Sequence, residues 1–158
     1  MKVAELMTSV VQSCTPETNL AAAAMEMWNG DCGALPIVDE GGRVLGMITD
    51  RDICIAAATN NQHIASIKVG EVRTGEVQSC TPETSVRDAL TIFEQARVRR
   101  LPVVDEDNKL QGILSLSDIL LQTTEARDKK GADVSYADVA NAFKTICAGH
   151  TKSAAAGA

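Results

Sequence analysis

The feature that most constrains this chain is an internal repeat. Sliding the sequence by 66 residues aligns residues 3–53 with residues 69–119 without a gap, and 20 of the 51 aligned positions are identical. The octapeptide VQSCTPET occurs at 11–18 and again at 77–84. A match of this length and register predicts two copies of one structural unit.

The first half of each copy predicts a short extended run followed by a helix. Residues 10–14 are extended in this interpretation, because the proline after Thr15 disfavours helix there. Thr18 or Asn19 is the candidate N-cap, as is Thr84 or Ser85 in the second copy. Apolar residues then recur at i, i+3, i+4 and i+7, which is the pattern of an amphipathic helix; they are Leu20, Ala23, Ala24 and Met27, then Val86, Ala89, Leu90 and Phe93.

The second half of each copy predicts two strands and a closing helix. Strands at 34–38 and 44–49, and at 101–104 and 110–115, are almost wholly aliphatic, so both of their faces are expected to be buried. The acids between the strands are interpreted as turn residues rather than ligands; they are Asp39, Glu40, Asp105 and Glu106. Closing helices are predicted at 50–59 and 117–127. The order of one unit is therefore β-α-β-β-α.

The repeat sets the predicted division of the chain. Residues 1–60 form the first repeat, 61–68 a connector and 69–127 the second repeat, followed by a helical extension at 128–148 and a disordered tail at 149–158. In the extension, Ser135 is expected to cap a helix that runs to about residue 147. Its apolar face would pack on a neighbouring subunit or on the back of the module; that face contains Val139, Ala142, Phe143 and Ile146.

Composition argues against several classes of function. The net charge of −6 at pH 7 disfavours a broad nucleic-acid footprint, although Arg97, Arg99 and Arg100 concentrate positive charge locally. The two histidines, His63 and His150, suggest no catalytic triad, and there is neither a Walker loop nor a GxGxxG motif. The sequence therefore predicts a protein that is not an enzyme and has no catalytic cofactor.

The cysteines predict neither a metal site nor a disulfide framework. There are five, with no CxxC pair and no histidine at ligand spacing. Cys14 and Cys80 are interpreted as small core residues, and the lone Trp28 as a packing residue. No apolar run approaches about 18 residues and no signal peptide is evident, so we expect a protein of the reducing cytoplasm without a membrane span.

Two short motifs carry the candidate chemistry: Thr49-x-x-Asp52 and Ser115-x-x-Asp118. Each fits a helix-capping motif, in which a hydroxyl residue precedes an acid by three positions. Each also fits a ligand site, since a carboxylate can accept from ribose hydroxyls while a hydroxyl and nearby amides face a phosphate. Gly46 and Gly112 favour the second interpretation, because glycine within a strand often marks the close approach of a ligand.

These residues resemble a known family. The stretches TPETSVRDAL and RRLPVVDEDNKLQGILSLSDIL are similar to a tandem pair of cystathionine-β-synthase-type (CBS) domains, also called a Bateman module. The resemblance covers about residues 3–122. It implies an α/β (α+β) fold of two CBS repeats packed about a pseudo-two-fold axis, with two clefts that commonly bind adenosine-containing ligands and regulate an attached or partner protein.

The resemblance also implies crossed binding sites, one per cleft. In the first, the base would be surrounded by Thr15, Cys32, Gly33 and Ala34. The phosphate and ribose of the same ligand would be bound by Ser115 and Asp118. The second would combine Thr81, Val98, Arg99 and Arg100 with Thr49 and Asp52. Only the second has arginines, so it is expected to bind phosphorylated ligands more tightly. Alternatively, the arginines are a solvated helix end favoured by the macrodipole.

The sequence therefore predicts a stand-alone regulatory module that binds an adenine nucleotide (AMP, ADP or ATP), forms a homodimer of CBS pairs and relays occupancy to an unknown partner. Two alternatives remain at this point. One is a structural dimerisation module with empty clefts. The other is a nucleic-acid-associated regulator that uses the basic segment 97–100.

Overall fold

The structure, a computed structural model, describes residues 1–72, 76–123 and 134–148. The first repeat contains helix α1 (Leu20–Asn29), strands β1 (Ala34–Val38) and β2 (Val44–Thr49) and helix α2 (Asp50–Thr59), and the second repeat opens with helix α3 (Val69–Val72). The second contains α4 (Val86–Ala96), β3 (Arg100–Val104), β4 (Leu110–Ser115) and α5 (Leu116–Gln122), followed by α6 (Tyr136–Ala148). Short 3-10 helices lie at Val3–Glu5 and Ile64–Ser66. The start of the predicted extension (128–133), the predicted end of the second closing helix and the predicted tail at 149–158 fall outside the described residues.

The chain forms two compact units, each with its own hydrophobic core. The first-repeat unit contains the described residues of 10–77 and 104–110, and the second-repeat unit contains those of 1–9, 78–103 and 111–158. These units are not contiguous in the sequence. The predicted boundaries at 60 and 69 follow the repeats, whereas each compact unit also includes the first residues of the other repeat.

Backbone hydrogen bonds hold each leading segment in its unit. The Val3 amide donates to the Thr84 carbonyl oxygen (2.9 Å), and at the equivalent position the Val69 amide donates to that of Thr18 (2.8 Å). Both valine side chains are fully buried, Val3 in the core of the second-repeat unit and Val69 in that of the first. Each core is thus completed by residues from outside its own repeat.

The helices that open the two repeats begin where the sequence predicts. Of the two candidates in each repeat, Asn19 and Ser85 are the N-caps, accepting from the amides of Ala22 (2.9 Å) and Asp88 (3.0 Å). Thr18 instead receives a hydrogen bond from the Thr15 amide. The predicted apolar stripes face the two cores, and all of their residues are buried except Ala24, which is partly buried.

Each repeat contributes one two-stranded sheet. Strands β1 and β2 are antiparallel, with Ala34 opposite Thr49, and β3 pairs with β4. Strand β1 is buried along most of its length, whereas in β2 buried and half-buried residues alternate, so the prediction that both faces are buried holds for β1 and not for β2. The predicted extended run at 10–14 is reduced to one parallel bridge between Cys14 and Ile37, and Val10 is 95% exposed.

The turn acids have the structural role that the sequence predicts. Asp39 Oδ1 accepts hydrogen bonds from the amides of Gly41 (2.9 Å) and Arg43 (2.8 Å). Asp105 Oδ1 does the same for the amides of Asp107 and Lys109. A carboxylate that binds two amides of its own turn fixes the hairpin.

The turn of the second hairpin belongs to the first-repeat unit. The Val44 amide donates to the Asn108 carbonyl oxygen (2.9 Å), and Asn108 Nδ2 donates to the Val44 carbonyl oxygen (2.9 Å). Asn108 has a φ of 63°, and its equivalent Gly42 has a φ of 79°. Asparagine and glycine are the residues that tolerate this left-handed conformation best.

Helix α6 packs against α4 and α5 of its own chain, which is the second of the two predicted arrangements. Ser135 caps it as predicted, because its Oγ accepts from the Asp138 amide (3.3 Å) and its amide donates to Asp138 Oδ2 (2.8 Å). These hydrogen bonds hold the pKa of Asp138 below its ordinary value. Three predicted face residues, Val139, Ala142 and Ile146, are buried in the core of the second-repeat unit. The fourth residue, Phe143, was wrongly assigned to this packed face, because its side chain is 46% exposed.

Replacing Ile146 by alanine should destabilise the protein by about 2–5 kcal/mol, because the side chain is fully buried and its removal leaves a cavity. Chemical unfolding monitored by circular dichroism measures this. The neighbouring Cys147 is exposed, so Cys147→Ala is a matched control that should change stability by less than about 0.5 kcal/mol. Equal stability of the two variants would contradict the docking of α6.

Candidate ligand-binding site

The first candidate corner lies where β2 ends and α2 begins. The Thr49 amide and hydroxyl both donate to Asp52 Oδ2, at 2.9 and 2.7 Å, and the Asp52 amide donates to Thr49 Oγ1 at 3.2 Å. This reciprocal arrangement is a capping box, so the capping interpretation is correct. It occupies only one carboxylate oxygen. The other, Oδ1, accepts no hydrogen bond from the part of the chain that the structure describes.

The second corner, between β4 and α5, repeats this geometry. The Ser115 amide donates to Asp118 Oδ2 (2.7 Å), and the Asp118 amide donates to Ser115 Oγ (3.2 Å). Both side chains are half-buried. Among the described residues, Asp118 Oδ1 likewise receives no hydrogen bond. Capping and binding therefore do not compete for the same oxygen.

A capping box alone does not identify a binding site in this chain. Ser85 with Asp88, and Ser135 with Asp138, form the same hydroxyl–acid pair at the starts of α4 and α6. At α4 the first turn also binds another segment, because the Val86 amide donates to the Met1 carbonyl oxygen (3.1 Å). The candidate corners differ in that the bound segment is a loop of their own hairpin.

That loop is the segment that enters the first strand of each hairpin. The Asp50 amide donates to the Gly33 carbonyl oxygen (3.1 Å), and the equivalent Leu116 amide donates to the Arg99 carbonyl oxygen (3.1 Å). Residues that the sequence assigned to different clefts are thus adjacent within one unit. In the second-repeat unit, Arg99 is bound to the residue next to Ser115.

The two corners differ in charge, and the packing around the entering loop differs with them. A Cβ atom at Gly33 would lie 2.9 Å from Asp50 Oδ2, so a side chain at this position would require the exposed Asp50 carboxylate to move. In the second repeat, buried Leu116 replaces Asp50, and Arg99 replaces Gly33. The first corner therefore has two carboxylates, and the second has one carboxylate with an arginine beside it.

The three arginines of the segment 97–100 have different environments. Arg97 ends α4 in the left-handed conformation (φ 54°), which fits the interpretation as a solvated helix end. Arg100 is the exposed first residue of β3. The guanidinium of Arg99 lies over the ring of Phe143 on α6, with Cζ 5.7 Å from the ring centroid. Arg99 and Arg100 lie on the loop and the strand, so the helix-end interpretation does not apply to them.

The remaining predicted residues lie around these corners in varied positions. The amides of Cys32 and Val98 donate to helix carbonyl oxygens at the ends of α1 and α4, which holds the entering loops in place. Ala34 lies opposite Thr49 in the sheet. Thr15 is exposed and follows Cys14, which pairs with Ile37 near the end of β1, so Thr15 lies away from the start of that strand. Its equivalent in the second repeat, Thr81, is also exposed. The crossed clefts would combine residues of both units and remain a prediction.

The interpretation of Gly112 as a point of ligand approach was wrong. A Cβ atom there would lie 2.8 Å from the Thr8 carbonyl oxygen and 3.0 Å from Met7 Sδ. Thr8 and Ile113 exchange backbone hydrogen bonds of 2.9 and 3.0 Å. The close neighbour of this glycine is therefore the leading segment of the chain itself.

The strand cysteines behave as core residues. Burial raises the pKa of both Cys14 and Cys80 to about 11. Their thiols therefore stay neutral at physiological pH and are poor nucleophiles. Across the described residues, no three His, Cys, Asp or Glu side chains form a group suited to a metal ion. Nor does any helix there have the length and hydrophobicity needed to cross a membrane.

The interpretation of Trp28 as a packing residue was wrong. Its side chain is 83% exposed, and Met25 (58%) on α1 and Ile55 (49%) on α2 are also exposed large apolar residues. We call these three residues the first-repeat helical face. Its counterparts on α4 are Thr91 and Glu94, which are polar, and its counterpart on α5 is Leu121, which is apolar and 80% exposed.

Two residues of this region, Asp50 and Phe143, were not among the predicted site residues. Asp50 could have been recognised, because the equivalent position in the second repeat is Leu116 and not an acid. Phe143 was assigned to the buried face of its helix, and no pattern links it to Arg99, which lies 44 positions earlier in the chain.

Comparison with known proteins gives consistent matches. The sequence model of the CBS domain matches the chain twice, at residues 3–58 and 69–122. The CBS domain-containing protein YhcV of Bacillus subtilis is 36% identical over 117 residues, which are 74% of this chain and 81% of YhcV. Helix α6 lies outside both matched ranges.

Two solved structures share the fold. Hypoxic Response Protein I, whose crystal structure has two coordinated zinc ions, matches with a TM-score of 0.72 and 31% identity, over 78% of this chain and 100% of that one. The CBS domain pair of protein MJ0100, in complex with 5′-methylthioadenosine and S-adenosyl-L-methionine, matches with a TM-score of 0.69 and 25% identity, over 75% of this chain and 92% of its own. The predicted fold is confirmed.

Proposed function

Because this chain belongs to the CBS domain family and carries two repeats of that domain, we propose that it is a regulatory module that binds an adenosine-containing nucleotide of the AMP, ADP or ATP class. Binding itself is the function, and no chemical step is assigned to the chain. A partner protein reads the occupied state through the difference in shape or order that the ligand stabilises.

The observation that carries this proposal is that the Leu116 amide donates to the Arg99 carbonyl oxygen (3.1 Å), which brings the Arg99 backbone to the first turn of α5, where Asp118 lies. The free Oδ1 of Asp118 can accept from the hydroxyls of a ribose. The guanidinium of Arg99 donates no hydrogen bond within residues 1–72, 76–123 and 134–148, so its planar N–H groups are available for phosphate oxygens. A carboxylate acceptor for the ribose and a guanidinium donor for the phosphate, carried by neighbouring backbone segments, are the two groups that a nucleotide would need.

The structure favours a different carboxylate to act with Arg99 from the one that the sequence suggested. Arg99 was paired with Asp52 in the crossed-site prediction. The hydrogen bond between the Leu116 amide and the Arg99 carbonyl oxygen fixes Arg99 beside the cap of α5, which contains Asp118. We therefore assign Arg99 and Asp118 to one nucleotide. The first-repeat corner, with Asp50 and Asp52, is better suited to a ribose than to a phosphate.

The adenine part of the proposal has separate support. The MJ0100 pair binds two ligands that share an adenosine group, and this chain is 25% identical to it. Loops that enter β1 and β3 offer small or apolar residues beside each corner, among them Ala34 and half-buried Val98. Such residues suit a flat base better than charged ones do.

Replacing Asp118 by alanine should weaken AMP binding by about ten- to a hundredfold, because a hydrogen bond to a charged group is worth roughly 1.5–3 kcal/mol. Isothermal titration calorimetry on the purified protein measures this. Asp88→Ala is the matched control, since it removes the same kind of cap from α4 in the same unit without touching the corner.

Unchanged AMP affinity in Asp118→Ala, or the same loss in Asp88→Ala, would contradict the site. If the wild-type protein bound none of AMP, ADP, ATP, NAD(H) and S-adenosylmethionine, the structural alternative of an unliganded dimerisation module would replace this proposal.

The proposal includes a homodimer formed through the first-repeat helical face. Met25, Trp28 and Ile55 form an exposed apolar surface, which is typical of an interaction site. In the second-repeat unit, α6 lies against α4 and α5, the equivalents of α1 and α2. Among the described residues, no helix equivalent to α6 packs on α1 and α2. We therefore propose that the first-repeat helical face packs against a second copy of the chain, in a two-fold contact.

Trp28→Lys should weaken the dimer by roughly thirtyfold or more, because a buried tryptophan at an interface contributes about 2 kcal/mol or more. Light scattering coupled to size-exclusion chromatography reports the mass over a dilution series. Val10→Ser removes another exposed apolar side chain of the same unit and should leave the mass unchanged. A wild-type monomer, or an unaltered mass in Trp28→Lys, would contradict the proposed interface.

A further inference from the structure

The contact between Arg99 and Phe143 connects α6 to the candidate nucleotide site. Cζ of Arg99 lies 5.7 Å from the centroid of the Phe143 ring, which is within the range of a cation–π interaction. Among the described residues the guanidinium donates no hydrogen bond, so its N–H donors stay available for a phosphate group.

The position of the ring is fixed by the packing of α6. Phe143 follows Val139 by one helical turn and Ala142 by one residue, and both of these side chains are buried in the core of the second-repeat unit. Ser135 caps the start of the helix. Phe143 therefore lies at the edge of the docked stripe, where its ring reaches outward to Arg99.

Arg99 is thus held at both ends. Its carbonyl oxygen accepts from the Leu116 amide at the first turn of α5, and its guanidinium rests on α6. Long side chains lose rotamer freedom when they bind a ligand, and this loss reduces affinity. A side chain that is already ordered loses less.

From these contacts we infer that Phe143 is a positioning residue for Arg99, through which the C-terminal helix sets the affinity of the site for phosphate-bearing ligands. The inference rests on the proposed nucleotide function. It goes beyond the CBS motif, because α6 lies outside the residues 3–58 and 69–122 that match the domain. By linkage, a partner that displaces α6 weakens phosphate binding, and a bound nucleotide opposes that displacement.

The experiment compares the affinities of AMP and adenosine in a double-mutant cycle. Phe143→Leu keeps an apolar side chain without the aromatic ring and should weaken AMP binding by about two- to fivefold, with adenosine unchanged. Phe143→Tyr keeps the ring and should restore AMP affinity. Arg99→Ala should weaken AMP binding about tenfold or more, and Phe143→Leu added to it should have no further effect.

Tyr136→Leu is the matched control. Tyr136 is an exposed aromatic residue near the start of the same helix, 42% exposed, and its replacement should change neither affinity. Equal losses for AMP and adenosine in Phe143→Leu would overturn the inference, as would a loss that persists in the Arg99→Ala background or that Tyr does not restore.

A measurement without nucleotide separates failure of this inference from failure of the proposed function. The ring current of Phe143 should shift the Arg99 side-chain proton resonances upfield, and the shift should vanish in Phe143→Leu. Absence of the shift overturns the inference whatever the protein binds. A normal shift in a wild-type protein that binds neither AMP nor adenosine contradicts the proposed function, and with it any role of Phe143 in phosphate affinity.

Discussion

The exchange of leading segments is the interaction on which the rest of this structure depends. Val3 and Val69 are anchored by backbone hydrogen bonds to Thr84 and Thr18, and each fills the core of a unit built on the other repeat. The first segment continues to Thr8, which pairs with Ile113 only two residues before Ser115. A side chain at Gly112 would obstruct this pairing. The strand that carries the second corner is thus supported by the start of the chain.

The two corners show how one local motif acquires different chemistry in two copies. Both use a hydroxyl and one carboxylate oxygen to cap a helix, which stabilises each helix start by about 1 kcal/mol. The difference involves the residue after the hydroxyl. Asp50 lies where a side chain at position 33 would need it to move, whereas Leu116 is buried in the core and leaves room for Arg99 at the equivalent position. Charge at the proposed site therefore depends on a packing difference inside the fold.

The repeat and its periodicity predicted most of the fold. Apolar spacing located the helices, and the hydroxyl and amide residues before them located the caps at Asn19, Ser85 and Ser135. The exchange of leading segments could not be predicted, because no local sequence pattern indicates which of the two units a segment packs into. Trp28 and Phe143 were misassigned for a related reason: both are apolar residues at the edge of a helical stripe, where spacing alone does not separate packing from exposure. The hydroxyl–acid pairs of the two corners were found from sequence, whereas the contacts of Arg99 with Leu116 and Phe143 join distant parts of the chain.

The central claim is that the chain binds an adenine nucleotide, and native mass spectrometry of freshly purified protein tests it most directly. The account predicts a species heavier than the protein by the mass of an adenine nucleotide, either retained from the cell or formed on adding AMP, and lost on dialysis against nucleotide-free buffer. A spectrum that contains only the unliganded protein in the presence of saturating AMP, ADP and ATP would contradict the account.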